Sequence, residues 1–471
     1  MQGQMTGCLD QDKKLFDGIL NIDKNFDVVY RVITIGDRKA CLYAIDGFMK
    51  DETLLRLIQG FCAIKAADLP EDAHGFAKKY LPYIEVGLEN QVESLLTQLL
   101  SGVTLMFVDG YDKCMAIDCR TYPARGVQEP EKDRVLRGSR DGFVETLVFN
   151  TALIRRRIRD PKLINEIVQV GESSKTDIVI SYMEDRVDRE LLDKIKKRIS
   201  NIKVDALTMN QESLAECLYQ SKWYNPFPKF KFSERPDTAA AHLLEGNIVI
   251  LVDNSPAAMI LPSSVFDIVE EADDYYFPPL TGTYLRISRF LISFVTLTLT
   301  PVYLLFVQNP EWLPSWLEFT RVKEAVNVPV ILQLLILEFA IDGLRLASVS
   351  TPSMLSTPLS VIAGLVVGDF SVSSGWFNAE TMLYMAFVVI ANYTQASFEF
   401  GYALKFMRLL LLILTALFNL WGFIAGFVIT VLCIVMNKTI SGKSYIYPLI
   451  PFSWKEIRQR LIRTRIPFEK K

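Results

Sequence analysis

The sequence predicts a cytosolic region of α/β or α+β class, built from two subdomains, followed by an all-α polytopic membrane domain. The first observation is the distribution of charge: residues 1–285 carry 35 Lys and Arg against 44 Asp and Glu, whereas residues 286–471 carry 16 against 10. The second is that all the long apolar runs lie in the latter part. With 471 residues, half of them hydrophobic, the chain exceeds one ordinary domain. An acidic front therefore precedes a membrane region with a basic end.

Three features of the sequence restrict the compartment of the soluble region and the kinds of site it can contain. These are the first residues, the cysteines and the histidines. The first residues, MQGQMTGCLDQDKKLF, contain no apolar core of signal-peptide length, so we expect the front to stay in the cytosol. Seven cysteines without a C-x-x-C pair are typical of reduced thiols rather than of disulfides or a zinc site. Only His74 and His242 are present. We therefore expect no metal site and no histidine proton relay.

The pattern of residues 1–122 predicts an α+β subdomain in which a helix followed by a β-hairpin recurs. Asp109-Gly110 between two apolar runs is a hairpin signal. The predicted helices are 10–20, 51–65 and 90–100, and the predicted strands are 27–35, 39–45, 103–108 and 113–119.

Residues 123–162 are predicted to form a basic linker and a helix that begins near Gly142. The apolar face of that helix consists of Phe143, Leu147, Leu153 and Ile154. The basic residues are Arg137, Arg140 and Arg155 to Arg157. Two alternatives remain open: the arginines bind a phosphate or an acidic partner, or they pair with carboxylates and fix the linker between the subdomains. Candidate carboxylates for this pairing are Glu129, Glu131 and Glu145.

Residues 163–285 are predicted to form a second, α/β subdomain, because strands are interspersed with helices. The predicted strands are 163–170, 177–183, 202–207, 247–253 and 257–262, with a helix at 189–199. Between them, residues 224–246 place three prolines around an extended piece, after which Asp237 is predicted to cap a helix that Gly246 ends.

The soluble half contains none of the common catalytic fingerprints. The phosphate loop, the nucleophile elbow and the dinucleotide-binding glycine motif are all absent from its sequence. We therefore expect no enzyme activity, no cofactor and no nucleic-acid partner.

Residues 286–436 are predicted to form a membrane domain of four spans and one re-entrant segment. The spans are 287–307, 329–348, 379–397 and 407–436. Arg286 and Arg289 precede the first span, so its N-terminus is expected on the cytosolic side. Trp312 and Trp316 in the following connector suit the membrane interface.

A Ser- and Thr-rich stretch at 348–375 has an apolar core, 361–367, of only seven residues. One alternative is a re-entrant segment, which is tolerated at membrane depth only where protein or water solvates the backbone. The other is a helix-packing element, because Gly364 and Gly368 form a G-x-x-x-G pair. Gly422 and Gly426 form a second pair in the last span.

The tail, residues 437–471, has nine Lys and Arg against Glu456 and Glu469, which predicts a cytosolic tail that holds anionic lipids. With both ends inside, the number of crossings is even. Four spans then place Lys405 and Arg408 outside. The alternative count makes 358–376 a span and folds the last apolar stretch into a hairpin.

The span 329–348 carries Glu338, Asp342 and Arg345, whose i, i+4, i+7 spacing places them on one helical face. Each charge near a bilayer centre costs at least ~2.5 kcal/mol, so these residues are expected to face protein or water. One hypothesis is an ion pathway that includes the following Ser350, Thr351 and Ser353. The other is a buried ion pair of Arg345 with one of the acids, which locks helices together.

The segment EPEKDRVLRGSRDGFVETLVFNTALIRRRI, at 129–158, contains an acidic-proline start, an Arg-Gly-x-Arg turn and Gly-Phe-x-Glu. The segment NPFPKFKFSERPDTAAAHLLEG, at 225–246, contains Asn-Pro-Phe-Pro and Glu-Arg-Pro-Asp. These two segments resemble the signatures of the GerA-type family of spore germination proteins, specifically its A subunits. The motif residues are Glu129, Pro130, Arg137, Gly138, Arg140, Gly142, Phe143, Glu145, Asn225, Pro226, Glu234, Arg235, Pro236 and Asp237.

Within this family, EFAIDGLRLASVSTP at 338–352 and YPLIPF at 447–452 are most similar to the stage V sporulation protein AF branch. In the nutrient receptors an acidic residue commonly follows the arginine, and here Leu346 follows Arg345.

The resemblance implies a multi-pass protein of the forespore inner membrane that conducts monovalent cations early in germination. It implies a ring-shaped homo-oligomer, a pentamer, with a transporter-like B-type membrane protein and other receptor subunits as partners. In the AF branch the implied role is to amplify ion release. A ring would place one polar stripe from each subunit around an axis. A non-conducting scaffold and a nutrient-receptor A subunit are the alternatives.

Overall fold

The computed structural model describes residues 3–83, 85–121, 138–219, 224–323, 327–350, 364, 368 and 370–463. The chain divides into two compact units. The first comprises residues 1–221 and 230–262, and the second comprises 222–229 and 263–471. Residues 263–285, which the sequence pattern attaches to the second subdomain, thus belong to the unit that contains the long apolar helices.

The first subdomain is a five-stranded antiparallel sheet with helices on both faces. Its strands lie in the order β1-β2-β4-β5-β3. Alternate residues of β2 point to opposite faces: Cys41 and Tyr43 pack under α1 and α4, whereas Ala40 and Leu42 pack under α2 and α3. The elements are α1 Leu9–Leu20, β1 Val28–Ile35, β2 Arg38–Ile45, α2 Asp51–Cys62, α3 Ala73–Tyr80, β3 Val86–Glu89, α4 Val92–Leu100, β4 Thr104–Val108 and β5 Cys114–Ile117.

The second subdomain has the same arrangement, with strand order β6-β7-β9-β10-β8 and every pairing antiparallel. The predicted α+β class is therefore confirmed. The sequence pattern missed α3, β3, α7 and β8, and its strand at 202–207 is wrong. The elements are α5 Leu147–Arg157, β6 Leu163–Val170, β7 Thr176–Met183, α6 Arg189–Ser200, α7 Asn210–Leu218, β8 Lys231–Ser233, α8 Pro236–Leu244, β9 Ile248–Val252 and β10 Ala258–Leu261.

The two subdomains are an internal structural repeat. Each begins with a helix, continues with a hairpin, two helices and a short edge strand, and ends with a helix and a second hairpin. The helix before the last hairpin ends at a glycine in the left-handed region in both, Gly102 at φ 101° and Gly246 at φ 98°. Residues 89–117 and 233–261 therefore correspond at a constant offset.

Individual hydrogen bonds repeat at the same places. The N–H of Leu9, which opens α1, donates to Asp109 Oδ1 at 3.0 Å, and the N–H of Leu147, which opens α5, donates to Asp253 Oδ1 at 3.3 Å. The side chain at the fourth helical position binds backbone six residues earlier in each case, Asp12 in one repeat and Asn150 in the other. The same scaffold is thus built twice from largely different residues.

A buried polar network joins the two repeats. Arg155 on α5 is wholly buried and forms a bidentate pair with Asp27, at 2.9 and 3.0 Å, while its Nη1 donates to the carbonyl of Leu163 at 3.0 Å. Asn25 and Asn165 complete the network, because Asn165 donates from Nδ2 to Asp27 and from its N–H to Asn25 Oδ1. The arginine run therefore fixes the subdomains together, but with partners that its local sequence does not contain.

All seven cysteines are free. Burial raises the pKa of the Cys41 thiol to about 11, which keeps it protonated and unreactive at neutral pH.

The second unit consists of helices and short connectors. The helices are α9 Val265–Val269, α10 Asp273–Tyr276, α11 Pro279–Gln308, α12 Val330–Ser350, α13 Ala379–Tyr393, α14 Phe398–Val435 and α15 Trp454–Leu461, with 3₁₀ turns at Pro310–Trp312 and Ser315–Thr320. Two of the described helices, α11 and α14, are long and apolar enough to cross a membrane. The proposed re-entrant core, 361–367, lies outside the described residues except for Gly364.

Helix α14 reverses direction at Asn419, whose φ of 53° and ψ of −133° break the helix into two arms. The arms lie side by side, because a Cβ added at Gly422 would sit 1.8 Å from the carbonyl oxygen of Leu414 and one at Gly426 would sit 3.2 Å from the Cα of Leu411. The single span expected at 407–436 is therefore a helical hairpin, the arrangement that the alternative count required.

Contacts along the bundle fix the directions of its helices. Helix α11 and the first arm of α14 run the same way, since Ser293 in the middle of α11 bonds Gln395 just before α14, whereas Asn309 just after α11 bonds Asn419 at the end of that arm. Helix α12 begins beside the end of α11 and runs antiparallel to it. Helix α13 begins after Asn378, which is hydrogen-bonded to Gln333 near the start of α12. The second arm of α14 then returns to the level at which α11 starts.

We expect Arg155→Met to destabilise the first unit by about 3–5 kcal/mol, because it leaves the buried Asp27 carboxylate without its cation. The matched control is Lys162→Met, since the Lys162–Asp185 pair is exposed to solvent and contributes little to stability. Amide hydrogen exchange of β6 and β7 in the full chain, followed by mass spectrometry, measures the difference. Equal protection in the two variants would show that the network does not hold the repeats together.

Candidate functional site

Three helices bring four charged side chains together inside the second unit. Glu338 on α12 is 3% exposed and accepts from Arg408 on α14, at 2.7 Å from Nε and 2.6 Å from Nη2. Arg408 also donates from Nη1 to the carbonyl of Thr296 on α11, at 3.0 Å. Lys405, one turn earlier on α14, donates to the Glu338 carbonyl at 3.1 Å and pairs with Asp342. We call these four charged residues the ion cluster.

The ion cluster is balanced in charge, with two carboxylates from α12 and two cations from α14. Helical spacing explains this match, because i, i+4 on one helix and i, i+3 on the other each place both charges on one face. Glu338, Lys405 and Arg408 are almost wholly buried, whereas the side chain of Asp342 is 35% exposed. Asp342 is therefore the carboxylate of the cluster that other molecules can reach.

Arg345 does not join the ion cluster, contrary to the sequence-based pairing with Glu338 or Asp342. Its guanidinium lies over three aromatic rings, 4.8 Å from the centre of Phe398, 4.9 Å from Tyr402 and 5.7 Å from Tyr393. Such rings attract a cation through their negative faces. The prediction failed because Lys405 reaches Asp342 from the neighbouring helix and an aromatic group receives Arg345.

Lys405 and Arg408 are the site residues that sequence reasoning missed. The four-span count placed both outside, but they are 4% and 1% exposed and face α12. A signal was present: two cations three residues apart in an apolar helix need acidic partners, and Glu338 and Asp342 are the acids of another apolar helix.

Two buried hydroxyls near the ion cluster, those of Thr300 on α11 and Thr415 on α14, have no hydrogen-bond partner among the described residues. A helical threonine normally donates to the carbonyl four residues earlier. For Thr300 that carbonyl belongs to Thr296, which already accepts from Arg408. Buried hydroxyls without protein partners are ordinary places for bound water. The bundle interior is thus polar beyond its four charges.

The other predicted pathway residues follow α12. Ser350 is its last residue and is exposed. Thr351 and Ser353 lie outside the described residues. Gly364 and Gly368 are described, and a Cβ at either would meet no described atom within 4 Å, so packing at this pair stays a prediction.

The two motif segments meet beside α8 in the first unit. Arg235 is 1% exposed, donates from Nη2 to the carbonyl of Ser139 at 2.8 Å and holds Asp237 in a bidentate pair at 3.0 and 2.6 Å. The N–H of Phe143 donates to the carbonyl of Glu234 at 2.8 Å. Asp237 is therefore not the helix cap. Arg235 occupies that position, because Pro236 with its fixed φ takes the first helical position.

The remaining motif residues surround this contact. Gly138 has a φ of 130°, which favours glycine, and Gly142 is buried. The carbonyl of Glu145 accepts from the N–H of Asn254. Arg140 is exposed at the surface of the same segment. Glu129, Pro130 and Arg137 lie outside the described residues.

The partner of Arg157 is Asp141 rather than any of the glutamates named from the sequence. Their atoms lie 2.5 to 2.7 Å apart. Burial alone would raise the pKa of Asp141, but hydrogen bonds from Arg157 and Ser139 hold that pKa below its usual value. The segment before α5 is therefore tied down by charge at neutral pH.

The Asn-Pro-Phe-Pro segment belongs to the second unit. Asn225 donates to the carbonyl of Cys433 at 3.0 Å, near the end of α14, and its Oδ1 accepts from the N–H of Phe227. Pro226 lies between them and is partly buried, and Phe227 packs against Phe400 and Tyr445. This segment thus contacts the returning arm of the hairpin.

Salt bridges connect the first half of α11 to acidic residues that precede it in the sequence. Arg286 pairs with Glu270 at 2.5 Å, and Arg289 pairs with Asp274 at 2.5 Å and with Glu271 at 2.6 Å. Burial raises the pKa of Asp274, although the charge of Arg289 opposes the shift. The arginines that the sequence pattern assigned only to membrane orientation therefore also hold α10 to α11.

Comparisons with known proteins agree over nearly the whole chain. A model of the Bacillus/Clostridium GerA spore germination protein family matches residues 18–471. Stage V sporulation protein AF of Bacillus subtilis (strain 168) is 36% identical over 97% of this chain and 92% of its own length. The uncharacterized membrane protein YfkQ of the same organism is 28% identical over 93% of this chain and 85% of its own.

Among solved structures, the chain is similar to the N-terminal domain of the A subunit of the Bacillus megaterium spore germinant receptor GerK3. That match has a TM-score of 0.44 and 25% identity, and covers 56% of this chain and 97% of the other.

We expect Arg408→Met to lower the stability of the second unit by about 3–5 kcal/mol, because Glu338 stays buried with only part of its compensation. The double variant Glu338→Met, Arg408→Met removes one charge of each sign and leaves the Lys405–Asp342 pair, so it should recover most of the loss. Thermal unfolding of the detergent-solubilised chain gives the comparison, with the exposed Lys323→Met as control. A double variant as unstable as the single one would contradict the pairing.

Proposed function

The chain belongs to the Bacillus/Clostridium GerA spore germination protein family, and from this premise we propose that it is a membrane subunit of a germination complex that forms an oligomeric cation channel. The observation that supports conduction is the ion cluster, a set of charges at the centre of an apolar bundle with one carboxylate left accessible. Its proposed role is to promote or amplify ion release during germination.

Helix α12 has a surface suited to a second copy of the chain. Six of its exposed residues recur at alternating steps of four and three, the heptad spacing of helices that pack side by side. These residues are Leu332, Ile336, Phe339, Gly343, Leu346 and Ser350. Asp342 borders this row. In a closed ring, a pentamer by family resemblance, one Asp342 from each subunit would face a shared axis and attract cations.

The proposed setting is the inner membrane of the forespore, with both chain ends in the cytosol. Asn225 and Asp267 lie before α11; Asn225 contacts Cys433 at the end of the hairpin's second arm, and Asp267 contacts Arg460 after the hairpin. Both ends of the membrane region therefore share one side. A transporter-like B-type membrane protein and other germination receptor subunits are the proposed partners.

The C-terminal segment is suited to the surface of that membrane. Exposed basic residues flank a group of exposed apolar ones there, the combination that binds anionic lipid headgroups and the adjoining acyl region. The exposed residues of the two kinds are Lys438, Lys443, Lys455, Arg458, Leu449, Ile450, Phe452 and Trp454.

A non-conducting scaffold is the second candidate. The equal number of charges of each sign in the ion cluster favours it, since a balanced buried group is what a purely structural lock requires.

We expect Asp342→Asn to reduce potassium flux through the reconstituted oligomer by about tenfold at low salt, because a ring of carboxylates concentrates cations. The reduction should shrink as salt screens the charge. Flux is measured in liposomes containing the purified complex, and oligomer size is measured on the same sample. Glu311→Gln, an exposed acid of the connector, is the matched control.

Absence of flux in the unaltered, correctly assembled complex would favour the scaffold. Unchanged flux in Asp342→Asn, beside an active parent, would remove Asp342 from the pathway.

We expect the connector after α11 and the loop after α14 to lie on opposite sides of the membrane. Cysteine replaces Ser315 or Ser441 in a chain whose seven cysteines are changed to serine, and a membrane-impermeant maleimide is added to intact cells. The Ser315→Cys variant should react at once. The Ser441→Cys variant should react only after permeabilisation, and the reverse order would overturn the proposed topology.

A further inference from the structure

A cavity of about 420 Å³ lies in the second unit between α11, α13 and the connector that follows α11. Its walls are mainly apolar, and they include Leu299, Val302, Phe306, Leu317 and Tyr384. The ion cluster contributes no residue to it. This volume falls within the range of ~300–1,000 Å³ that is typical of small-molecule sites.

One cation lines this apolar cavity, Arg321 at the end of the connector. Its guanidinium is exposed and forms no ion pair with any residue in the described part of the chain. Guanidinium stays charged at all physiological pH values and presents several N–H donors to a carboxylate or phosphate. An apolar space with one accessible cation at its wall selects a ligand that is apolar along its length and anionic at one end.

The connector also indicates where the mouth of the cavity lies relative to the membrane surface. Trp312 and Trp316 on the same connector are 48% and 73% exposed, and tryptophan concentrates at the boundary between headgroups and acyl chains. A molecule that enters from this boundary brings its charged end to Arg321 and its apolar end to Val302 and Phe306.

We propose that this cavity binds a single-chain amphiphile with an anionic headgroup. The chain lies between α11 and α13, and the headgroup accepts hydrogen bonds from Arg321. The ligand chemistry is shared by a free fatty acid and by one acyl chain of an anionic membrane lipid. This site stands apart from conduction, and its existence does not depend on channel activity.

The test uses the full-length protein in phosphatidylcholine nanodiscs and a decanoic acid analogue with a photoactivatable group on its chain. Mass spectrometry should place the label on peptides that contain Val302, Phe306 or Leu317. Decanoate should displace the probe about tenfold more effectively than decanol, because a charged hydrogen bond to Arg321 is available only to the acid. Arg321→Gln should abolish this preference, and Lys323→Gln, an exposed cation that does not line the cavity, should retain it.

A second variant tests the site by filling the cavity with a larger side chain. Val302→Trp should prevent labelling while the thermal midpoint stays within a few degrees of the parent. If that variant unfolds, the Arg321→Gln comparison still decides, since Arg321 is exposed and its loss leaves no buried group unpaired.

The two sources are separated by adding phosphatidylglycerol to the nanodiscs. Loss of labelling in the parent but not in Arg321→Gln identifies a membrane lipid as the occupant, whereas unchanged labelling identifies a free amphiphile. Label spread evenly over the outer faces of α11 and α14, or equal displacement by decanoate and decanol, would overturn the proposal.

Discussion

A charge buried in an apolar helix bundle needs a partner of opposite sign, and the second unit is arranged around this requirement. Arg408 satisfies it twice, by pairing with Glu338 on α12 and by donating to the backbone of Thr296 on α11. Three helices are therefore held in one register by a single guanidinium. Lys405 donates to the Glu338 carbonyl and pairs with Asp342, so Asp342 lies at the edge of the ion cluster. Any ion path along α12 is constrained by this arrangement.

The general architecture was predictable from composition and periodicity. The long apolar runs after an acidic front predicted where the soluble region ends and the helical region begins. Turn residues such as Asp109-Gly110 predicted the positions of hairpins. The stripe of Glu338 and Asp342 was also found, because acids in a membrane-length apolar run are conspicuous. Their partners were not found, since pairing across helices depends on how α12 and α14 meet in space, and a pattern along one helix carries no such information.

The position of the reversal at Asn419 and the internal repeat escaped sequence reasoning for different reasons, although the alternative count had already required a hairpin in the last apolar stretch. Asn419 adopts a left-handed conformation inside an otherwise continuous apolar run, and no glycine or proline marks the break. In the repeat, hydrogen-bonding geometry is preserved while residue identity is not. Asp12 and Asn150 do the same work, and only scattered positions such as Asp109 and Asp253 keep the same residue. Backbone requirements are met by any side chain with a suitable acceptor, so little sequence likeness survives.

The composition of the ion cluster also has a consequence for how the protein is made. The first arm of α14 carries two cations and α12 carries two acids near their middle, and each such charge costs at least ~2.5 kcal/mol when its helix stands alone in lipid. Each helix is therefore unstable in the bilayer until the other helix packs beside it. Because α12 is synthesised well before α14, we expect its acids to remain in contact with water or other protein groups until α14 is beside it. Biogenesis of this protein is thus expected to be cooperative and late, with the hairpin entering as the step that releases its earlier helices.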